Sequence, residues 1–349
     1  MKGGVVAVDL FCGAGGLTKG LSDAGIKVIK GYDFDKEASE TYERNNKDSK
    51  FFHIDITQLK REDLIDGINK ENNFFLLAGC APCQPFSRIN QKEISKDERK
   101  NLVLKFGELI KETSPDFVFM ENVPGLVNNK GKKIFQKFLK ILNEYEYFYD
   151  FKILNTMHYG IPQRRKRLVL IASKHSEVKI PESTHGFSDE KYPFVKLKEV
   201  FDKYTPLKAG EKDSIIPNHE SRNIENINLR RLNLIRKNGG SRKELPKELI
   251  LKCHLKHKGH GDVYGRMSLD DVSPTLTCKC TSISNGRFGH PTQDRAISVR
   301  EAAAIQTFPD NYIFYGNMSE NTRWVGNAVP VQFAKVFGEY FIKLKDMTN

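Results

Sequence analysis

Residues 79–87 read GCAPCQPFS, and Cys83 within them is the side chain of this chain best suited to act as a nucleophile. The apolar run FFLLA at 74–78 predicts a buried strand. The prolines at 82 and 85 then predict a stiff loop that points a thiol outward. A lone cysteine at a strand end is more often only a small buried residue. The functional reading gains from its company. A second apolar run, FVFMENVPG at 117–125, places Glu121, Asn122 and a proline where its carboxyl end should be.

A third group of residues looks built for a ligand. The first apolar run leads into DLFCGAGGLTKGL at 9–21, whose glycines permit a sharp turn and close approach of a ligand to the main chain. The glycines at 13, 15 and 16 do not match GxGxxG, and no GK[ST] follows, so neither a dinucleotide nor a triphosphate is indicated. Asp33 and Phe34 offer a carboxylate for ribose hydroxyls and a ring on which adenine could stack. Asp55 and Ile56 could meet an exocyclic amine. Together these describe an adenosine site whose far end carries no phosphate. The basic run QRRKR at 163–167, taken alone, reads as a charged strand edge.

The elements needed to position these groups follow from hydrophobic patterning. VVAVDLF (5–11), VIKGYDF (28–34), FFHIDI (51–56), FFLLAG (74–79), FVFMENV (117–123) and RLVLIAS (167–173) are strand-like runs separated by helix-length stretches. That alternation predicts an α/β fold with a mostly parallel sheet, helices on both faces, and ligands at the carboxyl ends of the strands. From about residue 176 the periodicity fades, returning in the helix-like SVREAAAIQTF (298–308) and in the amphipathic stretch within VGNAVPVQFAKVFGEYF. A second, looser domain is therefore expected.

With 349 residues, 39% hydrophobic and 29% charged, the chain has the composition of an ordinary globular protein. No apolar run approaches the ~20 residues of a membrane helix, and the amino terminus enters a strand directly, so a cytoplasmic location is expected. Six scattered cysteines predict reduced thiols and no disulfide framework. The net charge of +12 points to a polyanion. It is local: residues 222–260 hold eleven Lys or Arg against three acids.

Taken in order, DLFCGAGGL (9–17), Asp33-Phe34, DIT (55–57), PCQPFS (82–87), ENV (121–123), QRRKR (163–167), RAISVREAAAIQTFPD (295–310) and GNAVP (326–330) resemble the blocks of the cytosine-C5 DNA methyltransferase family of restriction-modification type. The resemblance implies a Rossmann-like, S-adenosylmethionine-dependent domain at 1–178 and 318–349, with an irregular target-recognition domain at 179–317. It implies a cofactor site of Phe11, Gly13, Gly15, Asp33, Phe34, Asp55, Ile56, Pro82, Leu102 and Asn327. Tryptophan often stands where this chain has Phe34. The catalytic set it implies is Cys83, Glu121, Arg165 and Arg167. Cys83 would add to C6 of a cytosine rotated out of double-stranded DNA. Glu121 would engage N3 and the exocyclic amine, carrying or sharing a proton there. Arg167 would contact O2, and Arg165 would lie near the nucleophile and backbone. The polar segment 87–101 would close over DNA, and base-reading residues are expected within 215–260. A monomer is expected, with a cognate endonuclease acting separately on the same site.

Three other readings compete. Cys80 and Cys83, with Cys253, His254, His257, His260, Cys278 and Cys280, could suggest zinc or redox chemistry, but the spacing is poor and no metal is expected. A transfer-RNA methyltransferase of the same family would look similar, although the long basic insert suits a duplex reader. A catalytically dead DNA-binding module conflicts with the presence of Cys83, Glu121 and Arg167.

Overall fold

The computed structural model describes residues 3–82, 101–128, 131–252 and 261–348. They divide into two compact units, one of Met1–Tyr159, Lys166–Thr184 and Val329–Asn349, the other of Gly160–Arg165 and His185–Ala328.

The first unit is a seven-stranded sheet in the order β3-β2-β1-β4-β5-β8-β6. Its strands are β1 (Gly4–Leu10), β2 (Lys27–Asp33), β3 (Lys50–His53), β4 (Asn73–Gly79), β5 (Phe117–Asn122), β6 (Phe148–Asn155) and β8 (Lys166–Ser173). Strands β1 to β5 are parallel, and β8 runs antiparallel to both β5 and β6. The α/β class and mostly parallel sheet read from the sequence are therefore what the chain adopts. The apolar runs form strands because both faces are covered: every residue of β5 is buried, as is all of β4 after Asn73. Strand β6 had no clear signature, because this edge strand leaves Phe148, Phe151 and Ile153 exposed.

Helices α1 (Gly16–Asp23), α2 (Ser39–Asn45), α3 (Arg61–Ile65), α4 (Leu102–Thr113) and α5 (Lys132–Glu144) link the strands. The core on the α4 and α5 side joins Val8, Leu10, Phe75, Leu77, Val118 and Met120 from the sheet to Val103, Phe106, Phe138 and Leu142. Neighbours of β1 are β2 on one side and β4 on the other, so the connections run in opposite directions from it. The carboxyl ends of β1 and β4 thus frame the crevice where such sheets hold ligands.

The second unit has little regular structure. It holds the short parallel pair β7 (Gln163–Arg164) and β9 (Ser273–Pro274), with α6 (Lys198–Phe201), α7 (Asn226–Leu234), α8 (Val299–Ile305) and α9 (Met318–Asn327). Side chains supply the backbone partners that a sheet would otherwise provide. Arg266, fully buried, donates to the carbonyls of Ile235, His290, Gln293 and Leu232. Arg300 donates to those of Pro217, Pro309 and Tyr312. Arg295 grips both oxygens of Glu301, which also caps α8 through Ser298 N–H. The chain returns to the first unit at Val329, where α10 (Val331–Thr348) packs on α1, and residues 318–328 stay in the second unit instead of leaving it at 318.

Candidate active site

The turn after β1 is shaped by residues in left-handed backbone conformations. Gly13 and Gly15 have φ of 50° and 85°, and Phe11 has φ of 60°, a strained value for a large side chain. Two contacts hold the turn against β2: Cys12 N–H donates to the Tyr32 carbonyl at 3.1 Å, and Gly13 N–H donates to Asp33 Oδ2 at 2.8 Å. The other oxygen of Asp33 accepts from Asp35 N–H at 2.8 Å. Burial raises the Asp33 pKa above the usual carboxylate range. Among the described residues, a Cβ built on Gly13 would meet nothing within 4 Å, which leaves room beside the turn.

Phe34 is 72% exposed, a cost that a ring-stacking ligand would remove. Its ring lies 5.9 Å from that of His53, whose Nε2 sits 3.1 Å from the Phe34 carbonyl. Asp55 caps the next turn, accepting from Thr57 N–H and Oγ1 at 2.9 and 2.8 Å. Ile56 is different: its side chain is buried in the core, so only its backbone is left to meet a ligand edge. Pro82 follows the buried end of β4, and half-buried Leu102 opens α4. This lining offers carboxylates, an exposed ring and open glycines, and no Lys or Arg pairs with Asp33 among the described residues. The donor set fits an adenosine-containing cation and does not suit a phosphate.

Beneath the turn lies an acid that the sequence pattern did not single out. Asp9 is fully buried in β1. Its Oδ2 accepts from Thr18 Oγ1 at 2.7 Å, Thr18 Oγ1 is 2.9 Å from the Tyr42 hydroxyl, and that hydroxyl is 2.7 Å from Ser49 Oγ. Its Oδ1 has no hydrogen-bond partner among the described residues. The only hint in the sequence was a single acid inside the run VVAVDLF.

At the end of β5, the Arg167 Nε donates to Glu121 Oε1 at 2.7 Å, with both side chains about nine-tenths buried. Sheet register explains the pairing: Glu121 stands opposite Val169, which leaves Arg167 two residues along on the same face. The neighbouring Asn122 donates from Nδ2 to the Ala81 carbonyl at 3.1 Å, tying the end of β5 to the residues that precede Cys83. Cys80 is half-buried here, and desolvation, then the nearby Glu121 charge, push its thiol well above the ordinary range. Cys83 itself and the segment to residue 100 lie outside the described residues, as do Cys253 and the histidines at 254, 257 and 260.

The two remaining candidates belong to the second unit. Arg165 is buried and donates from Nη1 to the carbonyls of Leu276 and Gly326, each at 3.1 Å. Asn327 is exposed at the end of α9. Two glutamines frame this segment. Gln306 Nε2 donates to the carbonyls of Val325 and Ala328 at 2.7 and 3.1 Å, and Gln163 donates to Gln306 Oε1 at 2.7 Å. Gly326 is required by close approach, since a Cβ there would stand 2.0 Å from the Thr277 carbonyl oxygen. Among the described residues no cluster of His, Cys, Asp and Glu could hold a metal ion, and no helix is long and apolar enough to cross a membrane.

The family model for C-5 cytosine-specific DNA methylase matches residues 5–343. Among curated proteins, the Type II methylase M.HgiDII of Herpetosiphon aurantiacus is 40% identical over 341 residues, covering 95% of this chain and 93% of that protein. The Type II methyltransferase M.Eco47II of Escherichia coli is 31% identical over 348 residues, covering 98% and 80%. Among solved structures, a putative DNA modification methyltransferase encoded within an Escherichia coli prophage superposes with a TM-score of 0.76 at 23% identity, covering 98% of this chain and 99% of that one.

Proposed function

Because this chain belongs to the C-5 cytosine-specific DNA methylase family, and is on that ground a DNA cytosine-C5 methyltransferase, we propose that it methylates a cytosine rotated out of duplex DNA, using S-adenosylmethionine as donor and Cys83 as transient nucleophile. The observation that carries this reading is the Glu121–Arg167 pair at the end of β5, tied through Asn122 to the backbone that leads into Cys83.

The residues divide the work as follows. The Cys83 thiolate adds to C6 of the cytosine and leaves C5 with the electron pair that a poor nucleophile lacks. Glu121 meets N3 and the exocyclic amine, delivering a proton or hydrogen bond as charge builds on the ring. Arg167 holds Glu121 in place and offers its remaining N–H groups to O2. Loss of the C5 proton then returns the bonding pair from C6 to sulfur and frees the cysteine. When bound, S-adenosylmethionine supplies the electrophilic methyl group. Asp33 would hold its ribose and Phe34 its adenine, with Phe11, Gly13, Gly15, Asp55, the backbone of Ile56, Pro82 and Leu102 completing the lining. Asn327 is assigned to cofactor binding by family resemblance alone. Arg165, with its guanidinium on two backbone carbonyls, acts here as a positioning residue. Residues 215–260 are assigned to sequence choice, and an endonuclease of the same specificity is the expected counterpart.

Duplex DNA carrying 5-fluorocytosine at the target tests the mechanism, because the C5 fluorine cannot leave as a proton does. The full chain with S-adenosylmethionine should form an adduct stable to denaturing gel electrophoresis, and Cys83→Ala should form none while still binding DNA. Methyl transfer by the alanine variant would overturn the reading, and transfer to transfer RNA in place of DNA would overturn the substrate.

A further inference from the structure

Asp9, fully buried, and Asp33, partly buried, are two carboxylates on adjacent strands, below and beside the turn at residues 11–16. No Lys, Arg or His forms an ion pair with either among the described residues. A buried carboxylate without a cation is costly unless it keeps its proton or receives a positive charge. Asp33 has its two oxygens on the backbone N–H groups of Gly13 and Asp35 and is held as an acceptor. At Asp9, Oδ1 has no hydrogen-bond partner among the described residues, while the Thr18 backbone favours the anion and the Thr18 hydroxyl donates to Oδ2. That donor ends a chain: if Thr18 gives its proton to Asp9, Thr18 accepts from Tyr42, and Tyr42 from Ser49, so three hydroxyls can align toward a negative Asp9.

We propose that Asp9 is the switchable counter-charge of the cofactor site, losing its proton to solvent when a sulfonium ligand binds and keeping it when the uncharged thioether product is bound. This rests on the cofactor reading of the Phe11–Gly16 turn given above. Asp9 stands two residues before Phe11. Among the described residues, the titratable groups that interact with it electrostatically include Asp33 from β2, Cys12 in the turn, Tyr42 from α2 and Cys80 after β4, none of these four cationic. Burial is the largest cause of its raised pKa, about 7, with Asp33 adding to it and the Thr18 hydroxyl opposing it. The arrangement favours the donor over the spent product, because only the donor's added charge is met by a newly formed anion.

The test is calorimetric binding to the full chain of S-adenosylmethionine and of S-adenosylhomocysteine, each at pH 7 in buffers of different ionisation enthalpy. With a raised pKa of about 7, close to the working pH, a measurable fraction of a proton should be released per sulfonium ligand and much less per thioether. Asp9→Asn should abolish the difference. Thr18→Val, which removes the hydrogen bond that favours the anion, should increase release at pH 8 relative to the unchanged protein. Equal release for the two ligands, undiminished release in Asp9→Asn, or no change at pH 8 in Thr18→Val would each overturn the proposal. Failure of both ligands to bind the unchanged protein would instead overturn the cofactor reading beneath it.

Discussion

Replacing Arg167 by methionine should cost the first unit about 3 kcal/mol of stability, and the reason is Glu121. At 2.7 Å the pair attracts by about 6 kcal/mol at an effective dielectric of ~20, a gain spent largely on taking two ions out of water. Methionine keeps much of the arginine's apolar volume, so the main change is a carboxylate left about nine-tenths buried with its guanidinium gone. Losing one partner of a buried pair costs about 3–5 kcal/mol, and the residual exposure of Glu121 puts this case at the lower end. Glu121→Gln combined with Arg167→Met removes the stranded charge, so the double variant should be more stable than Arg167→Met by about 2 kcal/mol. Methyl transfer should fail in both. Urea denaturation at neutral pH, compared through midpoints at constant slope, measures the series. A double variant no more stable than Arg167→Met would refute the argument that the pair is held by mutual neutralisation.

Gly326→Ala drives a Cβ to 2.0 Å from the Thr277 carbonyl oxygen, a contact that only backbone movement can relieve, so thermal melting and protease resistance of the 275–328 region should both fall sharply. Asp9→Asn should alter the pH dependence of stability. A carboxyl group whose pKa rises on folding to about 7 contributes fully below its unfolded value near ~3.9, and that contribution is lost as pH climbs to 7. Denaturation at pH 5 and pH 8 should therefore show the asparagine variant gaining on the original protein at the higher pH, by up to a few kcal/mol. A constant difference between the two would refute it.

The parallel half of the sheet was legible because β1, β2, β4 and β5 are covered on both faces, which forces long apolar runs into the sequence. Strand β6 was not, since pairing with β8 alone leaves Phe148, Phe151 and Ile153 exposed among charged residues. The second unit hid its organisation for another reason. Long-range contacts between arginines and loop carbonyls leave no periodic trace, and QRRKR gives no sign that Arg165 ends on Leu276 and Gly326 while Arg167 ends on Glu121. The acidic and aromatic residues at strand ends could be read as a site because the sheet order determines where strands end. Asp9 escaped notice, since an acid within a strand tells nothing of whether a cation accompanies it.

The arginines inside the second unit change what a phosphate backbone meets. Arg165, Arg266, Arg295 and Arg300 all contribute to the formal +12, yet each is at most 2% accessible. They cannot displace counterions from a double helix. Affinity for DNA should thus weaken with added salt less steeply than a tally of basic side chains would suggest, with the slope set by the outward-facing lysines and arginines alone.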